Sequence, residues 1–402
     1  MKKAVMYGAG NIGRGFIGQL LSQSGYEVVF LDINKKVIDA LQADRKYVIT
    51  TVSNEKTAQI VVENVRAVNT ATQEESAIRE IADCDIMATA VGANILKFIA
   101  PLIAKGLALR ASEKRGDLNI LLCENLMDVN RYMRSLLEKE LGDSGKDILP
   151  HVGFVEASIG RMVPVSTGEK YPTDITVEEF DILHTDKDGF VGEIPPIRNM
   201  IAYSPFEAYI RRKLFMHNMG HAVTAYLGAL KGYEYISQAI DDVEIRQCVL
   251  ECGLESAMAI AADGFPLDEL LSFYTRLLYR FGNEKLKDTI LRVGRDTPRK
   301  LAANDRITGA INLCRDNGVP YAFLLVGVAA GMLFDFPEDP ESSKVFRDAA
   351  TDLRNAIGKF TGINDEGDIQ AIETIHAFLR RKDFRSVIRF CEKRKAEKIQ
   401  DR

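Results

Sequence analysis

The chain has 402 residues, 46% of them hydrophobic and 27% charged, a balance typical of a globular protein with room for two or three domains. The net charge of -5 argues against general binding to nucleic acid or to a membrane surface, although a local basic patch could still receive a phosphorylated substrate. The six cysteines form neither a CxxC pair nor a disulfide framework, and the sequence shows no membrane-spanning run and no signal peptide. We therefore expect a cytoplasmic protein with reduced thiols and without nucleic-acid or membrane partners.

The first 125 residues alternate between short apolar runs and amphipathic stretches. These predict strands and helices in turn, at 3–8 (strand), 11–25 (helix), 26–32 (strand), 34–44 (helix), 85–91 (strand) and 119–125 (strand). Such alternation is typical of an α/β fold. It predicts a Rossmann-type, doubly wound parallel sheet.

The pattern changes twice further along the chain. Between about residues 151 and 195, short β-like runs joined by turns are expected to add strands to the first sheet, and Pro195-Pro196 ends this region. Beyond residue 200, helical periodicity predicts helices at 205–230, 238–262, 267–282, 299–316, 320–334, 342–358 and 367–397. The prediction is a NAD-binding domain over residues 1–195 and a mostly α-helical substrate and catalytic domain over residues 196–402.

A dinucleotide-binding motif stands at the first strand–helix junction. Gly8, Gly10 and Gly13 form G-x-G-x-x-G between the predicted strand and helix, and Asp32 ends the next strand. The glycines permit a tight turn and close approach of a pyrophosphate to the helix N-terminus, while a carboxylate at Asp32 favours NAD over NADP. The predicted cofactor contacts are Gly8, Gly10, Asn11, Ile12, Gly13, Asp32, Thr89, Val91 and Gly92.

The segment KLFMHNMGHAVTAYLG, residues 213–228, carries a polar edge on a predicted buried helix. At 100° per residue, Asn218 would lie about 140° from Lys213. A metal site is one interpretation, because His217 and His221 are four residues apart. No acid within the segment completes a ligand set and Lys213 would repel a cation, so we expect no metal. A second interpretation, that these side chains simply form the polar edge of an ordinary helix, is not excluded by the sequence.

A proton-transfer site is the third interpretation. Alcohol–carbonyl interconversion needs a base for the hydroxyl proton and hydrogen-bond donors for the developing oxyanion. Lys213 can be the base if burial or a nearby positive charge lowers its pKa from about 10.4 towards neutrality. Asn218 is neutral and can donate to the oxygen without perturbing that pKa.

Lys213-x-x-x-x-Asn218-x-x-His221, downstream of a GxGxxG domain, resembles the signature of the polyol-specific long-chain dehydrogenases. The resemblance covers essentially the whole chain and implies a metal-independent enzyme. It implies that Lys213 is the general base or acid, that Asn218 donates to the oxyanion and that His221 positions the substrate. Cys-Glu-Asn at 123–125 is similar to the family's Cys-Asp-Asn, so Asn125 is expected as a second oxyanion donor.

One segment departs from the family pattern. In ASIGRMVP, residues 157–164, Gly160 stands where relatives carry Asp, whereas Arg161 is retained and is predicted to contact the substrate. Because this Asp is replaced, the contacts that relatives make with polyol hydroxyls are less safely assigned to this chain. For a phosphate, the basic segment 292–306 offers Arg292, Arg295, Arg299, Lys300 and Arg306, of which Arg295, Arg299 and Lys300 are the predicted contacts.

Within the family, the compact length and the segments YGAGNIGRGFIG and KLFMHNMGH imply reversible, NAD-dependent interconversion of D-mannitol 1-phosphate and D-fructose 6-phosphate. Three alternatives stay open. They are a uronate reductase of the same family acting on fructuronate or tagaturonate, a β-hydroxyacid dehydrogenase, and a non-catalytic NAD-sensing module. The β-hydroxyacid enzymes usually space Lys and Asn by four residues, and here the spacing is five. Either a monomer or a homodimer is compatible with the sequence.

Overall fold

A computed structural model describes residues 1–164 and 171–400 of the chain. The chain divides into two units, Met1–Glu207 and Ala208–Arg402. The sequence placed the domain boundary between residues 195 and 196, and that boundary stays a prediction.

The first unit is built on strands whose apolar runs are visible in the sequence. Its described strands are β1 (Lys2–Tyr7), β2 (Tyr26–Asp32), β3 (Lys46–Val52), β4 (Thr57–Glu63), β5 (Val65–Asn69), β6 (Ile86–Thr89), β7 (Leu118–Leu122), β8 (Val152–Ser158), β9 (Ile175–Glu178), β10 (Leu183–Asp186) and β11 (Met200–Tyr203). Within the described residues, eight of them form one sheet in the order β11-β10-β8-β7-β6-β1-β2-β5. The stretch from β5 to β8 is parallel throughout and has the doubly wound Rossmann strand order, which confirms the predicted fold class.

Helices cover both faces of this sheet, because its central strands are buried on both sides. One apolar cluster includes Met6 and Phe30 on one face, and another includes Val5 and Val29 on the other, as the alternation of side chains along a strand requires. The described helices of this unit are α1 (Gln19–Gln23), which continues a π-helical turn at Gly13–Gly18, α2 (Lys35–Asp44), α3 (Glu74–Asp83), α4 (Leu96–Ser112), α5 (Val129–Leu141) and α6 (Gly145–Ile148), with 3-10 turns at Ala93–Ile95, Gly142–Ser144 and Leu149–His151.

A second, smaller sheet was not predicted. Its described strands have the order β4-β3-β9, with β3 and β4 antiparallel and β9 parallel to β3. We expected every β-like run of 151–195 to extend the main sheet. For β8 and β10 this is confirmed, and for β9 it is wrong. The reason is packing, since Ile175 and Val177 of β9 are buried against Gly15 in the helix that follows the glycine loop. The β-like run at 189–197 forms no strand, and β11, which also joins the main sheet, lies beyond the predicted region. Residue 165, at the end of one predicted run, lies outside the described residues.

The second unit is helical over its described residues, as predicted. Its helices are α7 (Glu207–Arg212), which continues through a π-helical turn at Lys213–Asn218 into α8 (Met219–Lys231), α9 (Ile236–Asp241), α10 (Val243–Ala262), α11 (Leu267–Phe281), α12 (Ile290–Gly294), α13 (Thr297–Leu301), α14 (Thr308–Asp316), α15 (Leu324–Gly331), α16 (Pro340–Thr351), α17 (Leu353–Thr361), α18 (Glu366–Arg380) and α19 (Phe384–Gln400), with a 3-10 turn at Glu284–Leu286. No described helix combines the length and apolarity that a membrane crossing requires.

Several predicted helices are interrupted by local backbone features that periodicity does not detect. The helix predicted at 342–358 breaks at Asp352, whose side chain accepts from the Asn355 N–H and so begins α17. The helix predicted at 367–397 breaks near Lys382, which has a left-handed φ of 57°. The helix predicted at 299–316 likewise divides into α13 and α14.

Candidate active site

The glycine loop after β1 has two glycines that packing requires and a third that borders open space. Gly8 has a φ of 104°, and a Cβ there would lie 2.6 Å from the Ala90 carbonyl oxygen. A Cβ on Gly13 would lie 1.9 Å from the Gly8 carbonyl oxygen, so only glycine allows the helix to start this close to the strand. A Cβ on Gly10 would meet nothing within 4 Å. The loop therefore presents open backbone at Gly10.

Asp32, at the end of β2, is held against this loop. Its Oδ2 accepts from the Ala9 N–H at 2.7 Å, and its Oδ1 accepts from the Asn34 N–H at 2.9 Å. The carboxylate lines a cleft of about 660 Å³ together with Gly8 and Gly10. Ile33 and Phe98 also line the cleft and are 71% and 69% exposed. A polar anchor and exposed apolar side chains in one cleft suit a ligand with both sugar and aromatic parts.

Glu124 is a site residue that sequence reasoning missed. This buried carboxylate accepts from Thr89 Oγ1 at 2.8 Å and from the Val91 N–H at 3.1 Å, although the two residues follow a different strand. Burial raises its pKa. Glu124 therefore fixes the start of the loop that contains Gly92, which has a φ of 93°. The next residue, Asn125, is exposed.

Asn11, Ile12 and Arg14 are turned towards the protein's own interior. Asn11 Nδ2 donates to the Pro164 carbonyl at 3.2 Å, Ile12 packs at the edge of the apolar core, and Arg14 Nη1 donates to the Thr173 carbonyl. The cofactor contacts assigned to Asn11 and Ile12 stay predictions. Their observed contacts shape the loop.

The π-helical turn at Gly13–Gly18 explains two of the buried polar groups around it. Tyr47 Oη donates to the Arg14 carbonyl at 2.7 Å, and Arg161 Nη1 donates to the Gly15 carbonyl at 2.9 Å. A π turn disturbs the α-helical hydrogen-bond ladder, and these side chains satisfy carbonyls within it.

Arg161 is buried and forms several hydrogen bonds within the protein, which the sequence did not indicate. It is 4% exposed and donates through Nε to the Glu178 carbonyl at 2.7 Å and through Nη1 to Gln19 Oε1 at 2.7 Å. Burial lowers its pKa to about 10. These contacts give Arg161 a structural part in joining the small sheet to the glycine helix, and its predicted contact with substrate stays a prediction.

The segment 213–228, for which the sequence allowed a metal site, a polar helix edge or a proton-transfer site, does not begin as a regular α-helix. Residues Lys213–Asn218 form a π-helical turn, in which the Met219 N–H bonds to the Leu214 carbonyl five residues earlier. In an α-helix residues four apart are neighbours, whereas an i→i+5 bond brings residues five apart together. The 140° separation of Lys213 and Asn218 expected for a regular helix therefore does not apply.

Two polar side chains of this helix have unusual surroundings. Asn218 Nδ2 is buried and has no hydrogen-bond partner among the described residues. His217 is 6% exposed, and its pKa lies well below the usual value because burial and the charges of Arg280, Lys213 and Arg306 all disfavour the imidazolium. His217 is therefore a neutral ring at neutral pH.

His221 is oriented by an aromatic ring and a carboxylate. Its ring stacks on Phe281 with centroids 4.7 Å apart, and its Nε2 lies 3.2 Å from Asp288 Oδ2, an ion-pair distance without hydrogen-bond geometry. Burial lowers the pKa of His221 although Asp288 opposes this. Arg292 donates two bonds of 2.6 Å to the same carboxylate. Sequence reasoning missed Asp288, since no local spacing connects it to His221.

The predicted phosphate contacts differ in their surroundings. Arg295 and Arg299 are exposed, and Arg299 forms ion pairs with Asp296 and Asp305. Lys300 is 5% exposed, and its Nζ donates to the carbonyls of Val293 (2.7 Å) and Arg295. Burial, together with neighbouring arginines, lowers the pKa of Lys300 to about 7. Their role towards a substrate stays a prediction.

Metal ligands do not cluster around the two histidines. Over residues 1–164 and 171–400, no group of three or more His, Cys, Asp and Glu side chains is placed to hold a metal ion.

The first unit has a Rossmann-order sheet with a glycine loop and an acid at the end of β2, and the second carries Lys213, Asn218 and His221 on one continuous helix. Together these features define a two-domain dehydrogenase. Residues 2–199 match the model of the mannitol dehydrogenase Rossmann domain, and residues 206–389 match that of the mannitol dehydrogenase C-terminal domain. The chain belongs to the mannitol dehydrogenase family. The resemblance drawn from Lys213, Asn218 and His221 is thereby confirmed at the level of the family.

Curated relatives match nearly the full length. The chain is 38% identical over 373 residues to a mannitol-1-phosphate 5-dehydrogenase of Thermoanaerobacter pseudethanolicus, covering 92% of this chain and 95% of the relative. It is 36% identical over 389 residues to a mannitol-1-phosphate 5-dehydrogenase of Caldanaerobacter subterraneus subsp. tengcongensis, covering 95% of this chain and all of the relative.

Solved structures share the fold at lower identity. A substrate-free D-sorbitol dehydrogenase has a TM-score of 0.80 at 16% identity and covers 96% of this chain and 95% of its own. Pseudomonas fluorescens mannitol 2-dehydrogenase, in a ternary complex with NAD and D-mannitol, has a TM-score of 0.78 at 16% identity and covers 98% and 94%. At this identity the likeness shows the fold.

Proposed function

We propose that the chain is an NAD-dependent dehydrogenase that interconverts D-mannitol 1-phosphate and D-fructose 6-phosphate. The substrate is supported by the names of relatives that are 36–38% identical over almost the whole chain. The observation that carries the chemistry is the π turn from Lys213 to Asn218, which combines a basic side chain with a buried and unpaired amide donor.

The cofactor assignment rests on the glycine loop and Asp32. Open backbone at Gly10, at the start of the helix, would receive the pyrophosphate, and the Asp32 carboxylate would bind the ribose hydroxyls. A negative charge at this position repels a 2′-phosphate, so the enzyme is expected to prefer NAD over NADP. Glu124 holds Thr89 and Val91 in place, and these residues are proposed to contact the nicotinamide side of the cofactor.

The mechanism needs one proton acceptor and donors for one oxygen. NAD, when bound, would supply the acceptor for a hydride from the carbon that bears the alcohol. Lys213, as a neutral amine, takes the hydroxyl proton, and it returns the proton when the carbonyl is reduced. Asn218, with Asn125 as the second donor implied by the family pattern, stabilises the oxygen while it carries negative charge. His221 binds the substrate as a neutral ring oriented by Asp288.

The test is a comparison of substrates in an NADH oxidation assay. Fructose 6-phosphate, fructose and fructuronate are supplied to the purified protein, before and after treatment with a chelator. Turnover restricted to fructose 6-phosphate and unaffected by the chelator supports the proposal. Preference for fructuronate would assign the chain to the uronate reductases instead. NADH binding without oxidation of NADH by any of the three would indicate a sensor.

A further inference from the structure

Arg306 has a buried donor without an acceptor. It lies in the short connection between α13 and α14 and is 7% exposed. Its Nε donates to Asp305 Oδ1 at 2.7 Å, whereas its Nη2 is buried and has no hydrogen-bond partner among the described residues. Leaving a charged donor unpaired in the interior is costly, so this atom calls for an acceptor that the described residues do not supply.

Three of the other four cations in residues 292–306 are already engaged, and the fourth, Arg295, is exposed. Arg292 is paired with Asp288, Arg299 with Asp296 and Asp305, and Lys300 donates to two backbone carbonyls. Arg306 is therefore distinguished from its basic neighbours by combining burial with an uncommitted donor.

Arg306 also lies near the helix that carries the proposed base. Besides burial and Arg280, the positive charges of Lys213 and Arg306 both lower the pKa of His217, and such effects fall off with distance. Arg306 likewise adds to the effect of burial in lowering the pKa of Lys300. Packing agrees with this placement, because a Cβ on Gly309, three residues after Arg306, would lie 2.7 Å from the ring of Phe215 in the π turn. The positive charge near this turn is suited to a negatively charged ligand.

We infer that Arg306 receives the phosphate group of the substrate, in preference to the exposed Arg295 and Arg299. The inference rests on the proposed function. Asp305 holds the guanidinium through Nε, and a phosphate oxygen would satisfy Nη2 with a charge-assisted hydrogen bond. The same contact would discriminate fructose 6-phosphate from fructose, because an unphosphorylated sugar leaves the donor unpaired.

The kinetic test compares Arg306→Gln and Arg306→Lys with Arg385→Gln as the matched control, because Arg385 is an arginine of the same unit that is 83% exposed and lies outside the proposed site. Arg306→Gln is expected to raise the KM for fructose 6-phosphate about 10- to 100-fold, the effect of losing one charged hydrogen bond, with a smaller change in kcat and none in the KM for NADH. Arg306→Lys keeps the charge and should give an intermediate KM, while Arg385→Gln should stay near wild type. An unchanged KM in both Arg306 variants would overturn the assignment.

A binding measurement separates this inference from the proposed function. Inorganic phosphate should raise the unfolding temperature of the wild-type protein and of Arg385→Gln, and the rise should be absent in Arg306→Gln. If the wild type fails to oxidise NADH with fructose 6-phosphate, the proposed function fails, but the phosphate shift still decides whether Arg306 binds an anion. Equal shifts in the wild type and Arg306→Gln would refute the role of Arg306. If Arg306→Gln does not fold, the same two measurements on Arg306→Lys decide the matter.

Discussion

Nε2 of His221 lies 3.2 Å from Oδ2 of Asp288, and this carboxylate also accepts two bonds from Arg292. Burial alone would raise the pKa of Asp288, but His221 and Arg292 outweigh it and hold the pKa at about 2. The carboxylate therefore stays charged and can orient the imidazole over the whole physiological range of pH.

The acid stability of the protein should depend on Asp288. Because its folded pKa is depressed from 3.8 to about 2, it contributes stability above about pH 4 that is lost as the pH falls towards 2. The contribution is about 2 kcal/mol. Asp288→Asn should lower the free energy of unfolding most at pH 6, with the difference shrinking by pH 3, as measured in urea. Asp296→Asn, in an exposed pair with Arg299, is the control and should change it little.

Asn218 should matter for catalysis and not for folding. Asn218→Ala is expected to reduce kcat by about 10²–10³, the usual effect of removing one oxyanion donor. The free energy of unfolding should hardly change, because Nδ2 has no hydrogen-bond partner among the described residues. Steady-state kinetics and urea unfolding on the same preparation check both points. A stability loss that accounts for the lower rate would contradict the role.

Lys213→Ala should abolish turnover while NADH still binds, because the glycine loop and Asp32 are untouched. Lys213→Arg is the sharper variant, since a guanidinium keeps the charge but does not release its proton. On addition of either variant, the fluorescence of NADH should change as it does on addition of the wild type, which shows that NADH still binds. Near-normal turnover in either one would disprove the proposed proton transfer.

Glu124 should affect the cofactor more than the substrate. Glu124→Ala removes the acceptor for Thr89 and Val91 and is expected to raise the KM for NADH about tenfold. Glu124→Gln can still accept from the Val91 N–H and should stay close to the wild type. The KM for fructose 6-phosphate serves as the internal control, and a change confined to it would argue against this positioning role.

Glu255, a buried acid in the helical unit, should make the stability of the protein depend on pH in the opposite direction to Asp288. Glu255 accepts from the N–H groups of Phe323 (3.0 Å) and Leu324 (2.9 Å), and burial raises its pKa to about 8. Between pH 4.5 and 8 the folded state holds a proton that the unfolded state releases, so stability falls as the pH rises through this range. Glu255→Gln should flatten this part of the curve of melting temperature against pH. A curve as steep as that of the wild type would contradict it.

The sequence predicted those parts of the fold that local patterns encode. The sequence shows strands β1 and β2, the glycine motif that follows β1, and Asp32 at the end of β2. These features were recognisable because turn geometry and strand burial depend on neighbouring residues. The same holds for the family signature at Lys213, Asn218 and His221, which lies within one helix. The sheet of β3, β4 and β9 escaped prediction, because β9 pairs with a strand more than a hundred residues earlier in the chain.

What the sequence determined by itself was the class of fold, the nucleotide-binding motif and the family signature at Lys213, Asn218 and His221. Only the tertiary structure decided which distant residues contact them. Glu124 accepts a hydrogen bond from Thr89, and Asp288 lies beside His221. The unpaired donor of Arg306 likewise became visible only in the structure. The π turn at Lys213–Asn218 also became visible only in three dimensions. The physical reason is the same in each case. Periodicity reports which face of an element is buried, whereas a hydrogen bond between distant segments depends on how the elements pack.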